Sequence, residues 1–497
     1  MSVCENIKLC LNLFKTQITE YFWDKKLDYD GKINEILNKF DDIEETKLVR
    51  YTKDVGTLFR KKTNNTTNNT TNNTTNNTTN NTTKTNFSLD SLNGIISIDL
   101  EDKTVDVGGK TRYYNVLNET LKYGLMPKVV PELSSITVGG SITGISIESS
   151  SFKYGWGHDT VKEMDILISS GEILYCTKDN ENSDLFNAIP NSYGTVGYVT
   201  RATLELIEAK NFVNVINHKF TESREAFRFM KEIVNDNKVD FLDAVCFAKD
   251  EIYVITGILS NIAHQQPCNY PYDGIYYESI RNKKTETFTL YDYYWRWDAD
   301  MFWGVKNVNF IKNKWVRKIF GRCLLNSRTL RTIQKLFKSP TQPTQPTQPT
   351  QPTQPTTEKI TQDLGVPYKN AIEFYEWICD ELKIYPLWIC PVKPKKSNTL
   401  FWSYNKNQLY FDIGVFGSVK HDNNQNNTTQ DNKYYNKKIE EKLLEIEGNK
   451  CFYSGTYFTR ETFNKFINQT IYSKIKEKYD KSNRLGDLYE KVVDKIN

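Results

Sequence analysis

Residues 130–155 read VPELSSITVGGSITGISIESSSFKYG, and this segment is the most informative part of the 497-residue sequence. Glycines stand at positions 139, 140, 144 and 155, and serine or threonine occupies nine other positions. Glycine lets the backbone pass close to a ligand and adopt a positive φ angle. Consecutive backbone N–H groups can then point at a phosphate oxygen, and small hydroxyls add neutral donors. The segment is therefore a candidate site for a pyrophosphate, and it needs little basic charge.

The spacing of these glycines differs from the Gly-x-Gly-x-x-Gly fingerprint of dinucleotide-binding Rossmann folds. That fingerprint lies in a strand–turn–helix at the start of a βαβ unit. Here the run follows a proline-containing loop and is too long for one tight turn, so a Rossmann site is not expected. The spacing alone leaves a second interpretation open, in which the glycines only shape loops and a bulged strand.

A second segment rich in glycine and hydroxyl groups, residues 190–200, reads PNSYGTVGYVT. It follows NSDLF at residues 182–186 and leads directly into an alternating, strand-like run. Taken singly, Gly194 and Gly197 indicate only turn geometry. Two such loops can, however, line opposite sides of one extended cofactor.

The pattern around these segments predicts short strands and helices in an α+β arrangement. Hairpins are predicted for Ile95–Leu100 with Thr104–Val107 and for Met164–Ile168 with Glu172–Cys176. Helical spacing and alternation predict helices at Lys32–Ile43, Tyr113–Leu121 and Ser183–Ile189, a strand at Lys128–Val130 and a half-buried strand at Tyr198–Ile207.

Composition narrows the function classes. A net charge of +4 argues against nucleic acid as a partner. The nine cysteines form no Cys-x-x-Cys pair, so neither a disulfide framework nor a metal site is expected. Polar tracts at 63–83, 340–357 and 421–432 are expected to be disordered inserts. No signal peptide or transmembrane helix is expected, although Met1–Asp24 can lie on a membrane surface.

Residues 130–155 and 182–200, in this order, resemble the FAD-binding domain of the vanillyl-alcohol-oxidase, or PCMH, type. The runs VPEL, TVGG and GISIESSSFKYG resemble in particular the Δ24-sterol reductases, the DIMINUTO/seladin group. Further matching runs are Tyr293-Tyr294 with Phe302-Trp303, IYPLWICP at 384–391 and LYFDIG at 409–414. The resemblance implies an N-terminal helical segment at 1–46, a two-lobed FAD-binding domain at 47–210 and an α+β cap, or substrate, domain at 211–497.

The resemblance also implies which residues hold the cofactor, with the first segment around the pyrophosphate and the second as the opposite wall. No histidine precedes the Gly-Gly pair, because the four are His158, His218, His264 and His421, so FAD is expected to be non-covalent. The residues expected to bind it are Thr137, Val138, Gly139, Gly140, Ser141, Ile142, Thr143, Gly144, Ile145, Ser146, Ile147, Glu148, Ser149, Ser192, Gly194, Thr195 and Gly197.

The activity implied by the resemblance is NADPH-dependent reduction of the Δ24 side-chain double bond of sterols, through the flavin. An unactivated alkene also needs a proton from a positioned acid in a dry pocket. Glu148, Lys153 and Tyr154 are candidate acids, and the catalytic assignment stays open. The aromatic residues between Tyr291 and Trp303 form either a sterol-binding wall or ordinary core.

A sterol substrate implies contact with membranes, so we expect a peripheral protein of the cytoplasm or the cytoplasmic face of the endoplasmic reticulum. Two other functions stay open at this point. One is an FAD-linked oxidase of the same fold acting on another substrate. The other is a non-enzymatic binding protein that keeps the flavin fold.

Overall fold

The computed structural model describes residues 26–44, 47–51, 84–270, 272–300, 303, 313–329, 357–395, 408–421 and 433–493. The predictions for Met1–Asp24, for the insert at 63–83 and for nearly all of the inserts at 340–357 and 421–432 lie outside these residues. The strands are β1 (Leu48–Tyr51), β2 (Lys84–Phe87), β3 (Ile95–Asp99), β4 (Thr104–Gly108), β5 (Leu125–Pro127), β6 (Val161–Leu167), β7 (Ile173–Thr177), β8 (Tyr198–Glu208), β9 (Phe212–Phe220), β10 (Phe241–Ala248), β11 (Glu251–Ser260), β12 (Thr285–Thr289), β13 (Thr357–Pro367), β14 (Leu387–Val392), β15 (Tyr410–Lys420) and β16 (Asn449–Lys450). The helices are α1 (Tyr29–Asp41), α2 (Tyr113–Thr120), α3 (Val138–Gly144), α4 (Ser151–Tyr154), α5 (Ser183–Ala188), α6 (Ser223–Asp236), α7 (Tyr276–Ser279), α8 (Leu290–Tyr294), α9 (Lys314–Leu324), α10 (Tyr368–Leu382), α11 (Tyr434–Glu445), α12 (Arg460–Phe466), α13 (Gln469–Tyr479) and α14 (Leu488–Val492).

These elements confirm the α+β prediction and both predicted hairpins. Strand β3 pairs antiparallel with β4, and β6 pairs antiparallel with β7. The helices predicted at Lys32–Ile43, Tyr113–Leu121 and Ser183–Ile189 are α1, α2 and α5. The strand predicted at Lys128–Val130 is wrong, because β5 pairs with β8 three residues earlier and the chain then leaves the sheet.

The first large sheet carries its strands in the order β3-β4-β8-β6-β7, with β5 also paired to β8. The strand predicted at Tyr198–Ile207 is confirmed as β8, but the expectation that it is half-buried is wrong, because most of its side chains are buried on both faces. Strand β8 lies in the centre of the sheet, and α3 packs on it. A strand that is covered on both faces has no solvated side, so its buried and exposed side chains do not alternate as they do in a strand with one face in water.

The second sheet is antiparallel and has the order β12-β9-β11-β10-β14-β15-β13-β16. Helices α6 and α10 pack against one face, where Phe411 of β15 meets Phe227 of α6 with ring centroids 5.0 Å apart. Side chains alternate between the faces of a strand, so Asp412 of β15 points to the opposite face. That second face lies against the first sheet unit, since Cys390, which is opposite Asp412 in the pairing of β14 with β15, donates from its thiol to the carbonyl of Glu148 at 3.2 Å.

The C-terminal helices return to the first sheet unit. Lys476 of α13 donates to the carbonyl oxygen of Thr195 at 3.0 Å, and Arg484 donates to that of Ser169 at 2.6 Å. Helix α13 also contacts α5, where the Tyr479 hydroxyl donates to Asp184 at 2.5 Å. The end of the described chain therefore helps to enclose the second glycine segment.

Candidate functional site

The first glycine segment folds as the short helix α3, and not as a bulged strand. Thr137 caps the helix, since its side-chain oxygen accepts the backbone N–H of Gly140 at 3.2 Å. Glycine is required at position 139, because a Cβ there would lie 2.9 Å from the carbonyl oxygen of Gly109 and 3.4 Å from that of Val199. The helix therefore rests directly on the backbone of β8.

The outer side of α3 is partly open and carries only small residues. The backbone N–H groups of Val138 and Gly139 donate to the carbonyls of Thr111 and Gly109, both at 2.8 Å, so they are not free to bind a phosphate. The cradle that could receive a ligand is the row of small, half-buried residues along the helix. Its members are Thr137, Gly139, Gly140, Thr143 and Gly144.

The residues after α3 connect the cradle to the second sheet. Ile145 adopts a φ of 59°, which ends the helix in a left-handed conformation. The hydroxyls of Ser141 and Ser146 lie 2.5 Å apart, and the carbonyl of Ser149 accepts the N–H of Leu242 in β10. The predicted residues 145–149 are thus buried and lead from the cradle to the junction of the two sheet units.

The second glycine segment contacts the first directly. Tyr193 donates from its backbone N–H to the carbonyl of Thr143 at 3.3 Å and from its hydroxyl to the carbonyl of Gly144 at 3.2 Å. The hydroxyls of Ser192 and Thr195 donate to carbonyls of their own segment, at 2.6 and 2.8 Å. The two predicted segments therefore lie together, and these two hydroxyls donate to backbone carbonyls.

Backbone strain concentrates in this second segment. Asn191, Tyr193 and Gly194 have φ angles of 61°, 51° and 76°. Non-glycine residues keep such angles only when their surroundings impose them, and they cluster at ligand-binding sites. The buried side-chain oxygen of Asn191 has no hydrogen-bond partner in the protein, so it could accept an N–H donor of a ligand. The small-residue cradle and this oxygen are compatible with FAD.

The candidate acids differ sharply in their surroundings. Lys153 forms an ion pair with Asp240 at 3.0 Å, and burial raises the pKa of the Tyr154 hydroxyl above its ordinary value. Glu148 is fully buried and leads into the junction between the sheets. His158 is buried as well.

Glu148 belongs to a buried ionic cluster that joins the two sheet units. Its Oε1 lies 3.4 Å from Nη2 of Arg296, which lies 3.4 Å from Oδ2 of Asp243 in β10. The indole N–H of Trp388 in β14 donates to the same Asp243 oxygen at 3.1 Å, and the Ser149 hydroxyl donates to Glu148. Buried charges must be paired and hydrogen-bonded in this way, because desolvation is costly.

Glu132 is a further member of this cluster and the partner of Glu148. Its side chain is buried, and a side-chain hydrogen bond and the nearby charge link it to Glu148. Burial, followed by the charge of Glu148, raises the pKa of Glu132 well above its ordinary value. Two carboxyl groups can share a hydrogen bond only when one of them carries a proton.

Sequence reasoning missed Glu132, Asp243 and Arg296 as site residues. Asp243 interrupts the otherwise apolar strand FLDAVCFA, and Arg296 interrupts the aromatic run YYWRW. A charged residue in a run that is otherwise buried is the signal that could have identified them. What the sequence does not supply is their convergence, because Asp243 and Arg296 are far along the chain from the segment that contains Glu132 and Glu148.

A second pair of acids lies on the same face of the second sheet. Asp412 lies opposite Cys390 in the pairing of β15 with β14. Both of its carboxyl oxygens are buried without a hydrogen-bond partner, and burial together with Asp363 raises its pKa well above the ordinary value. Asp363 in turn accepts a hydrogen bond from Tyr453.

The aromatic residues around Tyr293 belong to the main hydrophobic core. Trp297 is fully buried and contacts Tyr276 and Trp303 edge to face, with ring centroids 4.7 and 5.9 Å apart. Arg296 lies 3.9 Å from the ring centroid of Tyr293. The core interpretation is therefore confirmed for these residues, while Phe302 lies outside the part of the chain that the structure describes.

Comparison with known protein families defines the class. Residues 60–177 match the family model described as FAD binding domain. The match includes α3, the segment up to Ser149 and both Glu132 and Glu148, but it ends before the second glycine segment. The chain therefore carries an FAD binding domain within its α+β fold.

The comparison with curated proteins is more particular. The chain is 26% identical to the human Delta(24)-sterol reductase over 426 residues. This alignment covers 81% of this chain and 76% of the human protein. It is 26% identical to a homologue of that reductase from Caenorhabditis elegans over 437 residues, covering 82% of this chain and 79% of that protein. For the Arabidopsis thaliana Delta(24)-sterol reductase the identity is 24%, over 81% of this chain and 75% of the plant protein. The resemblance to the Δ24-sterol reductases is thereby confirmed.

Proposed function

We propose that this protein is an FAD-dependent oxidoreductase that reduces the Δ24 side-chain double bond of sterols, with NADPH as the hydride donor. The observation that carries the proposal is the extent of the similarity. It covers 81% of the chain for the human reductase, so it reaches well beyond the FAD binding domain into the second sheet. A protein similar only in cofactor binding would match only the first part of the chain.

The rice cytokinin dehydrogenase 9 illustrates this difference. It is 31% identical to this chain, but over only 163 residues, or 32% of the chain. That match supports a flavin-type domain and says little about the substrate. An oxidase or dehydrogenase of the same fold acting on another substrate is therefore the second candidate.

The residues proposed to hold FAD are those of the cradle on α3, the following segment up to Ser149, and Ser192, Gly194, Thr195 and Gly197. Bound there, FAD supplies hydride-transfer chemistry. The protein contributes small residues that permit close contact, a buried junction that excludes water and the carboxyl groups of Glu132 and Glu148. We propose non-covalent binding, since every histidine of the sequence follows the Gly-Gly pair.

We also propose peripheral contact with a membrane, at the cytoplasmic face of the endoplasmic reticulum or from the cytoplasm. Among the described residues, no helix has the length and apolar character that crossing a bilayer requires. Helix α9 instead exposes Trp315 and Ile319, with 71% and 69% of their surface accessible, beside the exposed Lys314 and Lys318. An apolar pair flanked by lysines suits the surface of a membrane that contains anionic lipids.

The direct test is product analysis. The purified protein, loaded with FAD, is incubated with NADPH and desmosterol, and the sterols are separated. The proposal predicts conversion to cholesterol that requires both FAD and NADPH. Failure to convert any Δ24-sterol would contradict it, and peroxide formation with an alcohol substrate in air would favour the oxidase instead. A protein whose melting temperature does not respond to added FAD would favour a non-enzymatic role, because a ligand of the native state must stabilise it.

A further inference from the structure

The junction of the two sheet units contains more carboxyl groups than positive charges. Glu132, Glu148 and Asp243 converge there with one guanidinium, that of Arg296, and each of the four side chains is at most 7% exposed. Ionisation of all three carboxyl groups would leave two negative charges without compensation in a dry environment. Such a site retains protons instead, because desolvation penalises the charged form.

The hydrogen bonds indicate where a retained proton lies. Asp243 accepts from Trp388 and lies beside Arg296, and Glu148 accepts from Ser149 and also contacts Arg296. Glu132 has no such ion pair, and one of its oxygens, Oε1, is buried without a partner. Oε2 of Glu148 is likewise buried without a partner.

The shifts in pKa agree with this placement. That of Glu132 is raised well above its ordinary value, by burial and then by Glu148, and that of Asp243 is raised to about 6, by burial and against the effect of Arg296. The other titratable groups that act on Glu148 or its partners are Tyr276, Tyr293, Tyr294 and Cys390, and burial raises the pKa of each of them. They hold their protons more tightly than Glu132 does, because carboxyl groups are the stronger acids.

We propose that Glu132, hydrogen-bonded to Glu148, is the acid that protonates the side-chain double bond of the substrate. This inference rests on the proposed function. The Glu132 O–H bond breaks, and the π electrons of the alkene form a new C–H bond with that proton. The more substituted carbon, left positive, accepts hydride from the reduced flavin, so the alkene gains two electrons and two hydrogens and the flavin is oxidised.

The surrounding charges suit this role. The carboxylate that remains after Glu132 gives up its proton is disfavoured in this buried cluster, so Glu132 regains a proton from water after product release. The pair of Glu132 and Glu148 lies at the junction of the two sheet units and not in the cofactor cradle, because Glu148 follows the C-terminal end of α3. An arrangement with a single shared proton delivers one proton in each turnover.

The test compares Glu132→Gln with wild-type protein loaded with FAD, in two separate anaerobic reactions. Glutamine is neutral, like the protonated acid, so the variant should fold. Reduction of the flavin by NADPH should stay within about threefold, whereas reoxidation of the reduced protein by desmosterol should slow by at least about a hundredfold, the usual range for loss of an acid. Glu132→Asp keeps a carboxyl group but has a shorter side chain. Its rate of reoxidation by desmosterol should lie between those of wild type and Glu132→Gln.

The matched control is Asp300→Asn. Asp300 is also a buried carboxyl group with its pKa raised, to about 6, and it pairs with Arg317 at 3.0 Å outside the junction. This variant should keep both reaction rates. Asp412→Asn tests the rival pair, and a large loss of reoxidation in that variant, together with normal reoxidation in Glu132→Gln, would overturn the proposal.

Infrared spectroscopy supplies a readout that does not depend on turnover. At neutral pH the wild-type protein should show the C=O absorption of protonated carboxyl groups, and difference spectra should reveal one component of it that is lost in Glu132→Gln and retained in Asp300→Asn and in Asp412→Asn. An unchanged band would overturn the proposed proton position. If wild-type protein shows the band but no Δ24-sterol reoxidises it, the proposed function fails while the shared proton stands, so the two failures are distinguishable.

Discussion

Arg296 and Glu148 lie 3.4 Å apart, between Nη2 and Oε1, and neither side chain has any exposed surface. Arg296 follows α8, whereas Glu148 follows the cradle helix α3, so this contact joins the second sheet unit to the FAD binding domain. The proposed site is therefore formed by both units, and it depends on how they are held together.

Replacing Arg296 should destabilise the protein strongly. In Arg296→Met the carboxyl groups of Glu148 and Asp243 lose their buried countercharge, and breaking a buried pair costs about 3–5 kcal/mol. The free energy of unfolding, measured with urea, should fall by that amount. Arg281→Met is the control, because Arg281 pairs with Glu251 but is 51% exposed, and it should cost about 1 kcal/mol or less. Equal losses in the two variants would contradict the account.

Asp300 should give the stability a defined pH dependence. Burial raises its pKa from 3.8 to about 6, so the folded state binds this proton more tightly than the unfolded state does. Asp300 therefore contributes most to the free energy of unfolding at a pH below its pKa in the unfolded chain. This contribution falls as the pH rises toward 6 and does not change further above that pH. Relative to Asp300→Asn, wild-type protein should lose about 2–3 kcal/mol of stability in this window. Parallel stability curves for the two proteins would refute this.

Two glycines of α3 should separate folding from cofactor binding. A Cβ on Gly139 would contact backbone carbonyls at 2.9 and 3.4 Å, so Gly139→Ala should cost about 1–3 kcal/mol even without FAD. A Cβ on Gly144 would lie 3.6 Å from the Tyr193 ring, an ordinary contact, so Gly144→Ala should melt at or above the wild-type temperature. Its FAD affinity should nevertheless fall, because the new methyl group enters the cradle. Unchanged affinity in a fluorescence titration would place the cofactor elsewhere.

The exposed pair on α9 should govern binding to membranes. Burial of one large apolar side chain is worth about 1.5–3 kcal/mol, so Trp315→Ser combined with Ile319→Ser should weaken binding to phosphatidylserine-containing vesicles by at least about tenfold. Ile262→Ser is the control, since Ile262 is 72% exposed but lies after β11, away from α9. If both proteins sediment with vesicles as wild type does, α9 is not the contact surface.

The sequence predicted local features well and long-range convergence poorly. The hairpins β3–β4 and β6–β7 were predictable because apolar runs and turn residues act over a few positions. The interior position of β8 was not, since its neighbours come from distant parts of the chain. For the same reason the two glycine segments were recognised separately, whereas the meeting of Glu132 and Glu148 with Asp243 and Arg296 required the fold.

Anaerobic absorption spectroscopy follows both half-reactions of the proposed reductase in one sample. The protein loaded with FAD is reduced with one equivalent of NADPH, and a Δ24-sterol is then added in the absence of oxygen. The flavin absorption should bleach with NADPH and return when the sterol is added, with one saturated side chain formed for each flavin reoxidised. A protein that binds no FAD, or whose reduced flavin stays bleached with every Δ24-sterol until air is admitted, would contradict it.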